Sequence, residues 1–452
     1  MELIAKRPNG TKDMIPAEAH KWHTVEKVVS ETAECFGFKE IRFPMFEETG
    51  LFKRSVGDTT DVVQKEMYTV SSKGDDTFTL RPEGTAGTVR AVLQNGLLNE
   101  ALPLKTYYII SCFRHEKAQK GRLREFHQFG VEMFGSKSYL ADADVIALAQ
   151  SVLLRLGIEN TVLNINSIGC PHCREKYQQA LREYFGKYTD KLCSTCLSRM
   201  EKNPMRILDC KSEICSDIAK DAPVILDFLC DECKEHFENL KENLTERGIA
   251  FKVNPKIVRG LDYYTKTVFE FVSDSIGAQG TICGGGRYDG LVEQLGGQPT
   301  PALGFAMGIE RLLLTMEAEN CEFNQPKTCD IYIAAMGKAA EKKTVSLVSA
   351  LRDEGYHAES DVMGRGLKAQ MKYADKMGAK FTLVLGDNEL ESGKAKLKNM
   401  KKGEETEISL GDKFIDDFSD AMIAEMFDVE EMFKGEKICL TRFLQICMFR
   451  LL

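Results

Sequence analysis

Gly304-Phe305-Ala306-Met307-Gly308-Ile309-Glu310-Arg311-Leu312 reads as a strand that runs straight into a helix. Its glycines stand where a backbone must come close to a ligand, since a residue without a side chain leaves that room. Arg311 falls one turn inside the helix and is aimed back at the same pocket. Further back, Phe113-Arg114-His115-Glu116 and Arg122-Leu123-Arg124-Glu125-Phe126 form a basic loop between strand-like runs at Lys105–Phe113 and Phe126–Phe134. An arginine flanked by strand residues presents a fixed fork of donors to a phosphate or carboxylate. A nearby phenylalanine can stack on a purine, and a glutamate can accept from an exocyclic amine. A surface hairpin laced with ion pairs accounts for the same residues taken alone. Earlier still, Gly37 to Pro44 supplies a helix-to-strand passage that ends at a proline.

Around these stretches the chain alternates between strand and helix patterns. A helix is expected over Pro16–Phe36, with Val25, Val28, Val29, Thr32 and Cys35 at helical spacing and Gly37 as its stop. Phe38–Phe46 reads as extended, with Pro44 suited to an edge or interface because it cannot donate to a ladder. Strands are expected at Thr77–Leu80, Lys252–Val258, Val268–Val272 and Thr281–Cys283, and a helix at Ala141–Leu156. Gly169 to about Gly248 is helical, charged and cysteine-rich, and reads as an insertion between two strand-rich parts. Asn320–Lys327 reads as a linker. Beyond it, strands at Ile331–Ala335 and Phe381–Leu385 alternate with helices at Ala339–Glu354 and Leu367–Met377, the pattern of a separate α/β domain ending near Phe427. Ile438–Leu452 is apolar with interspersed arginines and is expected to be a docked helix of unread function.

The bulk numbers exclude little beyond membrane spans. At 452 residues the chain exceeds a single core, and 43% hydrophobic with 28% charged residues is ordinary for a globular protein. No run of roughly 18 uncharged apolar residues occurs, so no span is expected. Residues 1–13 lack the apolar stretch of a signal peptide, and a cytoplasmic location is expected. A net charge of −8 does not exclude nucleic acid, because phosphates respond to local basic patches. Lys117, Lys120, Arg122 and Arg124 form one patch. Arg365, Lys368, Lys372, Lys376 and Lys380 form a second, which a solvated helix face explains equally well.

Gly37 to Pro44, the basic loop from Phe113 to Phe126, and Gly304 to Leu312 resemble, in order and spacing, the three signature motifs of the class II aminoacyl-tRNA synthetases. Two longer strings narrow the resemblance. Arg259-Gly260-Leu261-Asp262-Tyr263-Tyr264-Thr265-Lys266-Thr267-Val268-Phe269-Glu270 and Gly280-Thr281-Ile282-Cys283-Gly284-Gly285-Gly286-Arg287-Tyr288-Asp289-Gly290 are similar to peptides peculiar to the histidyl-tRNA synthetases. Arg81-Pro82-Glu83-Gly84-Thr85 and Gln128 through Glu132 match that family as well, and the resemblance runs from Arg7 to about Phe427. It implies an α+β fold: a catalytic domain at 1–325 built on an antiparallel sheet with flanking helices and an inserted helical subdomain at about 170–248. An anticodon-binding α/β domain at 328–427 and a tail at 428–452 would follow.

The resemblance also implies roles. Motif one would build a homodimer interface. Arg114 would hold the α-phosphate of ATP, Phe126 would stack on adenine, Glu116 would contact its amine, and Arg311 would grip the terminal phosphate; Arg122 and Arg124 would serve ATP or the tRNA end. Glu83 and Thr85 would take the ammonium of histidine with help from Gln128. Glu132 and Tyr264 would bracket the imidazole, Tyr263 would complete the wall, and Arg259 would lie between the substrate carboxylate and the α-phosphate. A pocket that specifies histidine needs these partner types: acidic acceptors, a cation and one partner per ring nitrogen. L-histidine, ATP with Mg2+ and tRNA(His) are the implied substrates and partners, with Arg365, Lys372 and Tyr373 as candidates for anticodon contact. Core packing explains each tyrosine, and a surface carboxylate Glu132, when taken singly. The glycine run Gly284–Gly286 is not a dinucleotide fingerprint, because Asp289 occupies the sixth position, and no Walker-type loop exists. These glycines are expected to let a strand pass under the substrate.

Two other readings of the sequence compete with this one. A non-catalytic relative, the regulatory subunit of ATP phosphoribosyltransferase, would lack the anticodon domain and parts of the Arg-Gly-Leu-Asp-Tyr-Tyr string. A metal-dependent RNA-binding module would put the cysteine insertion to work instead. Of 15 cysteines, Cys170-x-x-Cys173, Cys193-x-x-Cys196 and Cys230-x-x-Cys233 form three knuckle pairs, with Cys210 and Cys215 between them. Tetrahedral thiolate zinc needs four ligands, so one or two structural Zn2+ ions are expected, against reduced metal-free thiols as the alternative. Spacing alone does not assign the ligand sets.

Overall fold

The computed structural model describes residues 5–57, 60, 62–71, 76–208, 210, 212–257 and 261–426. They fall into two compact units divided between Gln325 and Pro326. The expected tail helix at Ile438–Leu452 and the residues Val258, Arg259 and Gly260 lie outside the described residues.

The first unit is built on an eight-stranded sheet. Its strands run in the spatial order Lys39–Glu40, Leu104–Phe113, Glu125–Phe134, Ala302–Gly308, Thr281–Arg287, Thr265–Val272, Val162–Ser167, Lys252–Val253. The central pairings are antiparallel, and the two short edge strands join in parallel. Successive side chains of a strand point to opposite faces, and that alternation divides the molecule. Phe129, Val131 and Met133 of one strand and Leu303, Phe305 and Met307 of its neighbour share one core. The helices Pro16–Cys35, Tyr139–Arg155, Asp231–Glu246 and Ile309–Ala318 contribute to that core. The intervening residues face the other way. There the register sets Gly304 opposite Glu132, Ala306 opposite Gly130 and Gly308 opposite Gln128.

Several expected strands differ from what forms. Phe38–Phe46 is divided between two sheets: Lys39–Glu40 joins the large one, and Phe46–Glu48 joins a three-stranded sheet with Thr69–Ser71 and Thr77–Leu80. Pro44, unable to donate a ladder bond, sits at the break. The strand expected over Lys252–Val258 pairs only at Lys252–Val253, and Pro255 follows within two residues. Conversely, the strand expected at Thr281–Cys283 continues through the glycines to Arg287.

The glycines on the site face make room for bulky neighbours. A methyl on Gly84 or on Gly130 would lie 2.3 Å from Cζ of Tyr108, so the tyrosine ring passes over two residues that have no side chain. A methyl on Gly285 would fall 2.3 Å from the Gly304 carbonyl oxygen. Among the described residues the insertion carries the α-helices Pro171–Phe185, Ser194–Lys202, Glu213–Ala219 and Asp231–Glu246.

The second unit has its own five-stranded sheet, in the order Ala358–Ser360, Ile331–Ala335, Phe381–Leu385, Lys394–Asn399, Glu405–Ser409. The first three strands are parallel, as crossover helices allow, and the last two are joined by antiparallel pairings, so that only Lys394–Asn399 runs against the others. The helices Lys338–Asp353 and Phe414–Met426 pack on one side, and Leu367–Lys376 packs through Ala374 on the other.

Candidate active site

On the site face of the large sheet lies an open cleft. Glu83, Thr85, Arg114, Glu116, Arg122, Phe126, Gln128, Tyr263, Tyr264 and Arg311 all line it, so residues scattered over more than half of the sequence converge on one place. Arg259 lies outside the described residues. Glu132 sits just beneath the lining.

The acidic end is held by hydroxyls and backbone. Glu132 is 1% exposed. Its Oε1 accepts from Oγ1 of Thr85 at 2.7 Å and from the Tyr108 hydroxyl at 3.2 Å, and its Oε2 accepts from the Tyr288 hydroxyl. Burial pushes its carboxyl up to about 8, against the pull of these hydroxyls and with help from the nearby Glu83 charge. Glu83 accepts backbone N–H groups of Thr85 at 2.7 Å and Ala86 at 2.8 Å, at the start of the helix Thr85–Gln94. An acid at a helix N-terminus meets unsatisfied donors and the positive end of the dipole. Burial nonetheless raises the Glu83 pKa. Tyr263 and Tyr264 pack with ring centroids 4.8 Å apart, and Tyr263 stands edge-on to Tyr288 at 5.5 Å.

The basic end is held through backbone carbonyls. Nε of Arg114 donates to the Pro82 carbonyl at 2.9 Å, and its guanidinium lies 5.3 Å from the Phe126 ring centre. Arg311 donates from Nη1 to the Thr281 carbonyl at 2.7 Å and from Nε to the Gly121 carbonyl at 3.2 Å. Such bonds to carbonyls fix the orientation of the forks. Arg122 instead forms an ion pair with Glu116. Arg124 turns away, donating to the Glu116 carbonyl at 3.0 Å. Between the two ends, Gln128 accepts from the thiol of Cys112 at 3.3 Å, and burial raises that thiol to about 12, so it stays a donor.

A cleft with buried carboxyls at one end and fixed arginines at the other suits a ligand that is cationic at one end and polyanionic at the other. Three of its residues escaped the sequence reading. Tyr108 reads as an ordinary core tyrosine in an apolar strand. Tyr288 belongs to a quoted string but carried no role there. Glu310, which accepts His127 Nδ1 at 2.9 Å and the His127 backbone N–H at 3.0 Å, is adjacent to Arg311 and gave no separate signal. In the second unit, the Arg365 guanidinium stacks 4.4 Å from the Tyr373 ring centre.

The insertion gathers its cysteines into two groups of four: Cys170, Cys173, Cys230 and Cys233, and Cys193, Cys196, Cys210 and Cys215. The three expected knuckle pairs are therefore divided between the groups, and Cys210 with Cys215 completes the second.

Comparison with known proteins agrees with this geometry. Residues 10–312 match the family model described as histidyl-tRNA synthetase, and residues 330–416 match the anticodon binding domain. The histidine–tRNA ligase of Acetivibrio thermocellus is 56% identical over 408 residues, covering 90% of this chain and 98% of that one. That of Clostridium novyi is 55% identical over 408 residues, covering 90% and 97%. The crystal structure of apo S. aureus histidyl-tRNA synthetase superposes with a TM-score of 0.79 at 40% identity, over 92% of this chain and all of that one. The chain belongs to the histidyl-tRNA synthetase family.

Proposed function

We infer that the protein is a histidine–tRNA ligase, and the observation that carries this is the convergence of buried acids and fixed arginines on one cleft. The carboxylate of L-histidine attacks the α-phosphorus of ATP, forming histidyl adenylate and releasing pyrophosphate. A hydroxyl of the 3′-terminal ribose of tRNA(His) then attacks the acyl carbon and AMP leaves. Holding both reactants in line is the larger part of such catalysis.

In this assignment Glu83, Thr85 and Gln128 receive the histidine ammonium. Glu132 and Tyr264 serve the ring nitrogens, Tyr263 closes the wall, and Tyr108 and Tyr288 hold Glu132 in place. Arg114 takes the α-phosphate and Arg311 the terminal one, with Mg2+ sharing the polyphosphate charge. Phe126 stacks on adenine, Glu116 meets its amine, and Arg122 is released from Glu116 toward ATP. Arg259 bridges the carboxylate and the α-phosphate. A polar site of this kind rejects isosteres lacking ring nitrogens, since buried partners would be left unpaired.

The second unit reads the anticodon, for which Arg365, Lys372 and Tyr373 offer charge and a stacking face. A homodimer in the cytoplasm completes the assignment. Met45 and Phe46, at 48% and 55% exposure in the passage after Pro44, give a dimer interface apolar surface to cover. No helix among the described residues is long and apolar enough to cross a membrane. Cysteines of the insertion, among them Cys170, Cys173, Cys193, Cys196, Cys230 and Cys233, would hold structural zinc, which would take no part in the chemistry. The regulatory alternative is not favoured, because the high-identity relatives are ligases over nearly their whole length.

The deciding experiment is ATP–pyrophosphate exchange with each of the twenty amino acids. Exchange that depends on histidine alone is the expected result. Exchange supported by another amino acid, or by none, would remove the assignment.

A further inference from the structure

We propose that the insertion binds two zinc ions at separate sites, and that the two sites brace the short segment Leu261–Tyr264, one through Asp262 and the other through Tyr264 and Lys266, and so hold the cleft tyrosines Tyr263 and Tyr264. The bracing role rests on the active-site assignment above; the metal sites do not.

The sulfur geometry makes the case for metal. In each group the four Sγ atoms lie within 4.8 Å of one another. Cys170 and Cys173 are separated by 3.5 Å, Cys170 and Cys230 by 4.0 Å, and Cys193 and Cys210 by 3.9 Å. These are not disulfides, and all eight thiols are free. Tetrahedral zinc with Zn–S bonds of about 2.3 Å sets its sulfurs about 3.8 Å apart, and these three separations bracket that distance. Buried thiols by themselves are unremarkable, because cysteine packs as a small hydrophobe. What packing does not require is four of them meeting at one point, twice.

The local backbone is arranged for thiolates. Cys170, Cys193 and Cys230 each immediately precede a helix, and Cys173, Cys196 and Cys233 follow in its first turn. Main-chain N–H groups there favour the thiolate form that a metal needs. Cys230 N donates to Sγ of Cys173 at 3.1 Å, and Cys193 N donates to Sγ of Cys215 at 3.3 Å. Such donors to coordinated sulfur are the usual outer shell of a structural site.

Each site is one short step from Leu261–Tyr264. Beside the first, Arg174, the residue after Cys173, donates from Nη1 to the Tyr264 carbonyl at 2.9 Å. Gly169, the residue before Cys170, accepts the Lys266 backbone N–H at 2.9 Å, and Lys266 Nζ pairs with Glu232 at 2.7 Å, next to Cys233. Beside the second, the chain between Cys196 and Cys210 carries Asn203 and Arg206. Both donate to Oδ1 of Asp262, each at 3.2 Å. The tyrosines therefore stand between two anchor points, and each anchor is tied to one cysteine group. Metal lost from either group releases its knuckle and, with it, one anchor.

The test uses the full chain purified without chelators. Elemental analysis is expected to give about two zinc per chain, and cobalt exchanged into the protein is expected to show the visible bands of a tetrahedral thiolate site. The double variants Cys170→Ser with Cys230→Ser and Cys196→Ser with Cys210→Ser should each retain one zinc. Each should raise the KM for histidine in pyrophosphate exchange by about 10-fold or more, the scale of lost positioning, with the KM for ATP nearly unchanged. A metal-free wild-type chain, or one loaded with iron, overturns the proposal whether or not the variants fold. Two zinc ions with an unchanged histidine KM in both variants overturn the bracing role. Two zinc ions in a protein with no histidine-dependent exchange would uphold the metal sites and remove the active-site assignment on which the bracing rests.

Discussion

Glu132 combines nearly complete burial with three hydroxyl partners, and burial is the stronger influence: its carboxyl rises from 4.5 to about 8. The folded protein therefore takes up a proton that the unfolded chain releases in mild acid. For a group raised in this way, the stability contribution is complete below the unfolded pKa and is lost as pH rises through the folded one. Between about pH 5 and pH 8 this residue should lower stability by up to about 1.4 kcal/mol per pH unit. Glu132→Gln, which has no such proton, should flatten the profile over that window, as followed by denaturant melts across pH. Parallel profiles for wild type and variant would show that Glu132 does not titrate there. At Arg259 the expectation concerns rate. Arg259→Ala should slow adenylate formation by about 100-fold to 1000-fold, the scale of removing a donor aimed at developing charge, while histidine binding changes less. Near-normal pyrophosphate exchange would contradict its role.

Among the elements, one buried ion pair ties several together. Arg287 ends the glycine-rich strand and is fully buried. Its Nε lies 2.8 Å from Oδ1 of Asp142 in the helix Tyr139–Arg155, and Nη1 and Nη2 donate to the carbonyls of Ser136 and Ser138 at 2.8 and 2.9 Å. Asp142 also accepts from Thr267 Oγ1 at 3.0 Å and pairs with His236 of the helix Asp231–Glu246. Two strands of the sheet and two helices of its core layer thus meet at one carboxylate. Arg287→Met should cost about 3–5 kcal/mol by leaving that charge uncompensated, and adding Asp142→Leu should restore part of the loss. A single-variant loss below about 1 kcal/mol in equilibrium unfolding would mean that water or His236 already satisfies the aspartate.

At the scale of the whole molecule, two units with separate sheets and separate cores divide the work. The cleft is built entirely from residues of the first. A chain ending at Gln325 should keep histidine-dependent pyrophosphate exchange within about a few-fold, since a domain with its own core folds alone. It should charge tRNA(His) far more slowly, because the anticodon reader is gone. Aminoacylation at the full-length rate by the shortened chain would contradict the role given to the second unit.

How much of this could be read in advance followed from how local each signal is. Helices such as Pro16–Cys35 and the turn from strand into helix at Gly308 are written in near neighbours, through apolar spacing and glycine placement. Strands fared less evenly. Lys394–Asn399 and Glu405–Ser409 went unread, although Ala395, Leu397 and Asn399 alternate inward between exposed lysines. Short strands rich in lysine and glutamate lack the β-branched and aromatic residues that mark a strand, and pairing with their neighbours makes them strands. The sequence by itself determined the family, because the strings that mark it are contiguous along the chain. Only the tertiary structure decided that Tyr108 passes over Gly84 and Gly130 to reach Glu132, and that Cys210 and Cys215 join Cys193 and Cys196 while Cys170 and Cys173 join Cys230 and Cys233. These contacts join segments distant along the chain, and strand register and helix packing fix them, not the spacing of neighbours.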